Sequence, residues 1–365
     1  MPPPGDAQDQ ARGVRTGLVR TVCGDRDAAE FAAVMVHEHL LFDIAPPGAS
    51  DAPDTPITPH TRWQIDYLSN AYPANARQHC PEVAAIELAA LRADGGDLLV
   101  DQSVTGLARD PEGLRAASTA SGVAVVAAAG TYTAPYLDAS ITTLDVDALT
   151  ERFVAEVTRG IDGTDIRAGL IGEIGCSWPL ADIERRALVA AARAARRTGA
   201  GLSVHPGRHP RAPFEIVEIL AAEGADLSRV VICHMDRTYP DGIGTGGCGP
   251  VALAASGVMV EWDFFGIETS HYWMDASIAL PTDRMRLDAI RRLFDAGLGH
   301  AVLIGQDICT RTRLHSWGGH GYGHILRNIP QLMATLGFAA TDFVSLVRDN
   351  PLRLLTFPAP HRRPA

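Results

Sequence analysis

The sequence predicts an α/β protein, most simply a TIM (β/α)8 barrel with a short N-terminal extension. Short apolar, β-branched segments alternate with longer segments of helical periodicity, and there are eight of the apolar segments. Near-continuous apolar strands are typical of parallel sheets covered by helices on both faces. Eight strands alternating with helices is the count of a TIM barrel, although a doubly wound open sheet would give the same local pattern.

The eight predicted strands cover residues 32–40, 96–103, 123–132, 168–175, 201–207, 229–236, 257–265 and 300–307. Between them, helical spacing is found in segments such as "PEVAAIELAALRADG", "VDALTERFVAEVTRG", "DIERRALVAAARAARRTG", "PFEIVEILAAEG" and "RMRLDAIRRLFDAG". Most of these segments stop at glycine, the usual signal for a helix C-terminus. No Pro/Ser-rich linker divides the run, so we predict one domain over 16–358, a flexible N-terminal tail over 1–15 and a C-terminal tail over 359–365.

The composition of this 365-residue chain is that of an ordinary globular protein and disfavours a polyanionic partner. The formal charge is −11, from 43 acidic and 32 basic residues, and no basic block forms a footprint for nucleic acid. No apolar run reaches membrane-spanning length, and the N-terminus lacks the pattern of a signal peptide. Six cysteines without CxxC spacing suit reduced thiols. We therefore expect a cytoplasmic protein with a small-molecule substrate and no nucleic-acid or membrane partner.

Polar side chains collect at the C-terminal ends of the predicted strands. In a parallel barrel these ends open on one face, so residues far apart in sequence converge on one mouth. Side chains at i and i+2 of a strand point the same way, so a His-x-His pair on a strand offers two nitrogens to one site. The residues in question are His37 and His39 on the first strand, Glu173 on the fourth, His205 on the fifth, His234 on the sixth and Asp307 on the eighth.

These six residues predict a metal centre. Taken singly, His37 and His39 could be ordinary core or surface histidines, Glu173 could form a salt bridge, and Asp307 could cap a helix. Their shared register at strand ends favours a common site, where buried charges must be paired or must bind metal. Nitrogen and oxygen donors suit two divalent ions, most simply zinc, with manganese or cobalt as alternatives.

The sequence also resembles a known family, the phosphotriesterase-like branch of the amidohydrolase superfamily. The resemblance covers nearly the whole predicted domain, in order, through "VMVHEHLLFD", "VDQSVTGLARDPEGLRAAS", "GTY", "GLIGEIGCSWP", "AARRTGAGLSVHPG", "VVICHMDRT", "LIGQDICTRTRL", "GGHGYGHIL" and "DNPLRLL". It implies a TIM barrel with a binuclear centre and the possibility of a homodimer. By this resemblance His37, His39 and Asp307 hold one metal, His205 and His234 hold the other, and a carboxylate is shared between them.

One position departs from the founding phosphotriesterases, which bridge their metals with a carboxylated lysine where this chain has Glu173. Glutamate at this position resembles the phosphotriesterase-related subgroup. That resemblance implies hydrolysis of an amide, ester or lactone bond at least as readily as phosphoryl chemistry. The alternatives are a phosphotriester (organophosphate) hydrolase and, from another class, a metal-containing protein that binds a small ligand without turnover.

In the predicted mechanism a metal-bridging hydroxide attacks the carbonyl carbon. Asp307, a ligand beside that hydroxide, is the predicted general base. Loops after the strands are expected to select the substrate. The candidate substrate-binding residues are Tyr132, Trp178, Arg208, Arg237, Trp262, Asp263, Trp273 and His315.

Arg237 is the preferred recognition residue, because a guanidinium binds a carboxylate, a sulfonate or a lactone carbonyl through two parallel hydrogen bonds. A salt bridge from Arg237 to Asp236 or Asp241 is an equally good interpretation of the sequence. Trp178 and Trp273 could instead anchor their loops by burying apolar area.

Overall fold

The computed structural model describes residues 17–48 and 55–358, so the tails predicted over 1–15 and 359–365 lie outside the described residues. The strands are β1 (Gly17–Thr21), β2 (Gly24–Asp27), β3 (Val34–Glu38), β4 (Phe42–Asp43), β5 (Arg77–Gln78), β6 (Leu98–Asp101), β7 (Ala124–Ala129), β8 (Leu170–Gly175), β9 (Gly201–His205), β10 (Val230–Ile232), β11 (Met259–Trp262), β12 (Val302–Ile304) and β13 (Thr356–Pro358). The helices are α1 (Arg62–Leu68), α2 (Pro81–Ala93), α3 (Pro111–Ser121), α4 (Ala139–Thr142), α5 (Val146–Thr158), α6 (Asp182–Thr198), α7 (Ala212–Ala222), α8 (Met235–Thr238), α9 (Pro250–Ala255), α10 (Asp283–Asp295), α11 (His324–Thr335), α12 (Ala340–Val344) and α13 (Asn350–Leu355). Within these ranges no helix combines the length and the apolar character that a membrane span requires.

The central sheet has eight parallel strands in the order β12-β11-β10-β9-β8-β7-β6-β3. Each strand lies beside its predecessor in the sheet, whereas a doubly wound sheet reverses its strand order at a switch point. The first and last strands meet at a seam, where the Asp307 N–H donates to the His37 carbonyl over 3.0 Å. The TIM barrel prediction is therefore confirmed, and each of the eight predicted segments contains one barrel strand.

Before the first barrel strand, β1 and β2 form a hairpin that the sequence did not predict, and this hairpin pairs with β13 in a separate antiparallel sheet. Val19 of this sheet packs with Val34 and Val36 of β3 and with Leu354 of α13 in one buried cluster. These contacts cover the end of the barrel where β3 begins. The opposite end, where the strands finish, is left to the loops that form the site.

Local signals explain where the helices begin and end. The Asp110 side chain accepts from the Gly113 N–H, and Pro111 occupies the first turn of α3. That helix ends at Gly122, whose φ of 73° is the left-handed conformation that glycine favours. Helix α6 ends in the same way, at Gly199 with φ 74°, as predicted from the glycine that follows its helical segment.

An irregularity in strand β8 directs a side chain to the mouth of the barrel. The register of β8 against β9 shifts between Ile171 and Ile174, which makes a bulge of Gly172 and Glu173. Gly172 has φ +112°, and a Cβ there would lie 2.0 Å from the Ser203 carbonyl oxygen, so only glycine fits. The bulge therefore depends on glycine, and it turns Glu173 out of the regular ladder.

Candidate metal centre

The six residues predicted as metal ligands lie together at the C-terminal end of the barrel. Oε2 of Glu173 is 3.0 Å from His205 Nδ1, 3.2 Å from His234 Nε2 and 3.7 Å from His37 Nε2. Oε1 of Glu173 is 3.8 Å from His39 Nε2. The Glu173 carboxylate is thus central to all four imidazoles.

Asp307 completes the cluster from the seam of the barrel. Its Oδ1 lies 3.2 Å from His39 Nε2 and 4.0 Å from His37 Nε2. Asp307 has φ 46° and His234 has φ 59°, so both residues adopt the left-handed conformation without being glycine. Such conformations cost about 1–3 kcal/mol each and persist where surrounding structure holds them, commonly at functional sites.

The donor atoms fit divalent metal ions. Nε2 of His37 is buried, has no hydrogen-bond partner among the described residues and faces Glu173 and Asp307. Potential ligand atoms lie within 4.8 Å of one another in the sets His37, His39, Glu173 and Glu173, His205, His234. Imidazole nitrogens and carboxylate oxygens are the donors that zinc, manganese and cobalt accept.

Two of the imidazoles are oriented by the strand β11 and its end. His37 Nδ1 lies 3.0 Å from Glu261 Oε2 and 3.3 Å from Asp263 Oδ2. His234 Nδ1 lies 2.8 Å from Asp263 Oδ1, and the His234 N–H donates to Asp263 Oδ2 over 2.9 Å. A partner on the outer ring nitrogen fixes the tautomer and turns the other nitrogen to the metal. Glu261 and Asp263 therefore position both rings.

This arrangement corrects the expectation that Asp263 contacts substrate. The Asp263 side chain is completely buried behind His37 and His234 and does not line the cavity above them. Glu261 was missed from the sequence, as was Ser103, whose Oγ lies 3.0 Å from His39 Nδ1. The signal for Glu261 was a carboxylate two residues before Asp263 inside the apolar segment "VMVEWDFF".

The Glu173–His205 pair has the ionisation that metal binding requires. At His234, in contrast, burial is outweighed by the Asp263 carboxylate, which raises the pKa of that ring to about 9, so a metal must displace a proton there. Burial alone would raise the pKa of Glu173, but the neighbouring His205 and His234 outweigh burial and hold that pKa well below its ordinary value. Burial lowers the pKa of His205 to about 3, although the Glu173 carboxylate acts in the opposite direction. A charged carboxylate beside a neutral imidazole is the form in which both groups bind metal.

A cavity of about 660 Å³ opens above the cluster, a size that suits a small molecule. Four of the predicted substrate-binding residues line it, namely Tyr132, Arg208, Arg237 and Trp273. The Tyr132 ring lies 5.1 Å from the His205 ring. The cavity wall therefore joins the metal cluster directly to these four side chains.

The other three aromatic candidates are placed elsewhere. Trp262 is 1% exposed and belongs to the hydrophobic core. Trp178 stacks on the His209 ring at 4.5 Å, and its side chain does not line the cavity. The His315 N–H donates to Glu87 of α2, and His315 is also absent from the wall. The expectation that Trp262, Trp178 and His315 contact substrate is corrected accordingly.

Arg237 forms no ion pair with any carboxylate in the described part of the chain. Its Nη2 donates to the Pro206 carbonyl over 2.8 Å and lies 3.0 Å from His205 Nε2, while Nη1 is buried and has no hydrogen-bond partner in the ranges 17–48 and 55–358. Asp236 pairs instead with Arg286, and Asp241 accepts from backbone N–H groups. Of the two interpretations of Arg237, the salt bridge to Asp236 or Asp241 is therefore wrong.

The cavity mouth contains residues that the sequence did not single out. Tyr67 of α1 stacks on His271 with ring centroids 4.0 Å apart and an interplanar angle of 5°. Trp63 is 73% exposed, and Met274 is 41% exposed; both line the cavity. Helix α1 and the loop after β11 therefore form the rim. In the sequence these rim residues are marked only by neighbouring aromatic residues, a pattern that segments of a buried core also show.

The chain is similar to known proteins in both sequence and structure. A family model described as "Phosphotriesterase family" matches residues 17–355. The N-acetyltaurine hydrolase of Homo sapiens is 36% identical over 350 residues, which cover 94% of this chain and 99% of that protein. A crystal structure of a resiniferatoxin-binding protein from Rhodobacter sphaeroides matches with a TM-score of 0.86 and 30% identity, covering 94% of this chain and 96% of that one. A mutant of a phosphotriesterase-like lactonase from Deinococcus radiodurans matches with a TM-score of 0.71 and 25% identity, covering 92% of this chain and 99% of that one.

Proposed function

Because this chain belongs to the phosphotriesterase family and is a metal-dependent hydrolase, we propose that it cleaves the amide bond of a small N-acyl compound whose amine part carries a sulfonate or a carboxylate. The observation that carries this proposal is Arg237, a 3% exposed guanidinium without a carboxylate partner in the cavity wall. A buried charge needs a counter-charge. An anionic group of the substrate would supply it.

A second guanidinium supports an anionic substrate. Arg208 lines the same cavity, donates from Nε to the Tyr272 hydroxyl over 3.1 Å and forms no ion pair with a described carboxylate. Two unpaired arginines in one cavity of a chain with net charge −11 favour a negatively charged ligand. The name of the human relative, N-acetyltaurine hydrolase, describes a substrate of this kind.

The proposed centre holds two divalent ions, zinc in the first instance, with manganese or cobalt as alternatives. His37, His39 and Asp307 would hold one ion, His205 and His234 would hold the other, and the Glu173 carboxylate would be available to both. When bound, such ions supply a water of lowered pKa and polarise the substrate carbonyl. The support for this assignment is the donor set and the unpartnered Nε2 of His37.

The side chains of this site have distinct tasks in the hydrolysis. Arg237 and Arg208 bind the anion of the amine part, which orients the scissile amide over the cluster. Water adds to the carbonyl carbon and gives its proton to Asp307, the 9% exposed carboxylate at the cavity floor. The C–N bond then breaks, the proton passes from Asp307 to the leaving nitrogen, and a carboxylic acid and an amine result.

Two alternative functions fit the site less well. A phosphotriesterase would use the same centre, but the carboxylate of Glu173 stands where the founding enzymes have a carboxylated lysine. A binding protein is suggested by the similarity to the resiniferatoxin-binding protein of Rhodobacter sphaeroides. A ligand-binding protein has no use for a proton acceptor such as Asp307.

A substrate panel tests the proposed function. The metal-reconstituted protein is assayed on N-acyl amino sulfonates, N-acyl amino acids, neutral amides, esters, lactones and phosphotriesters, with products identified by mass. We expect the highest kcat/KM for the anionic N-acyl compounds. Preference for phosphotriesters would support the first alternative. Removal of metal by a chelator and its return should abolish and restore turnover, whereas a binding protein would lose thermal stability and show no turnover at any stage.

Arg237→Ala is expected to raise KM for anionic substrates by about 10- to 100-fold, because a hydrogen bond to a charged group is worth about 1.5–3 kcal/mol. Activity on a neutral ester should change little. Arg237→Lys keeps the charge and loses the paired donors, so we expect an intermediate KM. Arg211→Ala, on the exposed residue just before α7, is the matched control. Equal losses on charged and neutral substrates would contradict the proposed role of Arg237.

A further inference from the structure

Glu38 stands between two proposed ligands in the sequence, yet it does not belong to the metal cluster. It is completely buried at the end of β3, and its carboxylate is directed to the segment after β12. Oε1 accepts from the Gln306 N–H over 3.1 Å and from Gln306 Nε2 over 3.0 Å. Oε2 accepts from the Ile308 N–H over 3.1 Å.

These two backbone donors flank Asp307. The N–H of Asp307 itself donates to the His37 carbonyl over 3.0 Å, so three consecutive N–H groups are bound by His37 and Glu38. Asp307 has φ 46°, a conformation that residues other than glycine rarely adopt. Such a backbone is kept only where its surroundings over-determine it. The Glu38 carboxylate supplies that restraint on both sides of Asp307.

We propose that Glu38 is a positioning residue for Asp307: it fixes the backbone that aims the Asp307 carboxylate at His39 and at the cavity floor. The inference deepens the proposed function and rests on it, since it assumes that Asp307 is ligand and general base. One motif, "HEH", then has three tasks. Its histidines offer nitrogens to the centre from the first strand, and its glutamate secures the carboxylate that comes from the eighth.

A purely structural role is the competing explanation, because Glu38 lies at the seam of the barrel. The strands β12 and β3 form no regular ladder with each other in the described sheet, so the hydrogen bonds of Glu38 also help to close the seam. The two roles predict different results. A closing residue affects stability whatever stands at 307, whereas a positioning residue acts on turnover only through the Asp307 carboxylate.

Glu38→Gln is the decisive variant because it keeps the volume and removes one acceptor oxygen. If the remaining oxygen accepts from Gln306, the new NH2 group faces the Ile308 N–H, and one side of the restraint is lost. We expect kcat to fall by about 10- to 100-fold, the usual effect of losing a partner that orients a ligand, with a smaller change in KM. Competition between the Zn²⁺-loaded protein and a chelator should show one of two zinc ions released more readily.

Glu87→Gln is the matched control. Glu87 of α2 is another buried glutamate whose carboxylate accepts two backbone N–H groups of the segment after β12, those of His315 and Ser316, and it flanks no proposed ligand. We expect Glu87→Gln to match Glu38→Gln in its effect on Tm and to leave kcat and zinc release within twofold of the unaltered protein.

A double-mutant cycle with Asp307→Asn separates the two roles. In the Asp307→Asn background, Glu38→Gln should cause no further loss of turnover and no further change in zinc release. Additive effects, or unaltered kcat and zinc release in the single variant, would overturn the proposal. If Glu38→Gln does not fold, Glu38→Asp replaces it: the shorter side chain keeps the charge but cannot reach both N–H groups, and the same pattern is expected.

The zinc-release measurement keeps this inference separate from the proposed function. If the unaltered protein cleaves no compound in the panel, the function assignment fails. Zinc release from Glu38→Gln, with and without Asp307→Asn, still shows whether Glu38 acts through Asp307. If the unaltered protein cleaves the anionic N-acyl compounds but the effects of Glu38→Gln and Asp307→Asn are additive, only the inference about Glu38 fails.

Discussion

Asp307→Asn is expected to lower kcat by about 10²- to 10⁴-fold, the range that a positioned general acid or base contributes. Asparagine has nearly the shape of aspartate and keeps one oxygen beside His39 Nε2, from which Asp307 Oδ1 is now 3.2 Å away. The neutral amide cannot accept the proton of the attacking water. At saturating metal the fold and the metal content should therefore be largely preserved while turnover is lost.

The measurement is steady-state kinetics together with the metal content per chain and Tm. Asp110→Asn is the matched control: Asp110 caps α3 by accepting from the Gly113 N–H, and asparagine caps a helix equally well. Turnover close to that of the unaltered protein in Asp307→Asn would show that the proton goes to another group.

Glu173→Ala is expected to abolish turnover and to leave at most one tightly bound metal per chain. The Glu173 carboxylate is the only acidic group within 4 Å of a nitrogen of each of His37, His39, His205 and His234 in the described ranges 17–48 and 55–358. Its removal leaves four imidazoles, those of His37, His39 and His234 buried and that of His205 half-buried, without the central charge. Metal per chain after dialysis against metal-free buffer checks this prediction.

Glu173→Gln separates the loss of a ligand from the loss of packing. Glutamine fills the volume of the buried side chain but is neutral and offers a single oxygen, so we again expect fewer than two metals per chain. A Glu173→Ala protein that still holds two metals would mean that the bridging position is wrongly assigned. If Tm falls in Glu173→Ala and recovers in Glu173→Gln, the loss of stability comes from the void that alanine leaves and not from the loss of the charge.

Much of the site was predictable because a barrel converts strand order into spatial proximity. In a parallel barrel, polar residues at the C-terminal ends of the strands meet at one mouth. The cluster of Glu173, His205, His234 and Asp307 could therefore be predicted from the sequence. The His-x-His pair was predictable from the two-residue period of a strand. These arguments need the count of the strands, which local periodicity predicts, and their parallel arrangement in a barrel, which the structure confirms.

The cavity wall was less predictable because loops and bulges do not follow a strand's alternation. Tryptophan 262 and Asp263 are adjacent at the end of β11, yet Trp262 packs in the core and Asp263 orients His37 and His234. Neither contacts the cavity, although both precede a long loop. Whether a residue at a strand end faces the cavity, the core or a neighbouring ligand depends on the twist and register of the adjoining strands.

The sequence by itself predicted eight strands alternating with helices, the six residues of the cluster and the chemistry their donor atoms allow, since hydrophobic periodicity and residue type act over a few positions; the strand order that makes the sheet a barrel was decided by the tertiary structure. Only the tertiary structure decided that Arg237 lacks a carboxylate partner, that Glu261, Asp263 and Ser103 orient the histidines, and that Glu38 holds the backbone around Asp307. Each of these is a contact between strands or loops far apart in the chain. A hydrogen bond depends on distances of a few tenths of an ångström, and the register that sets them across the barrel is fixed by packing of the whole fold.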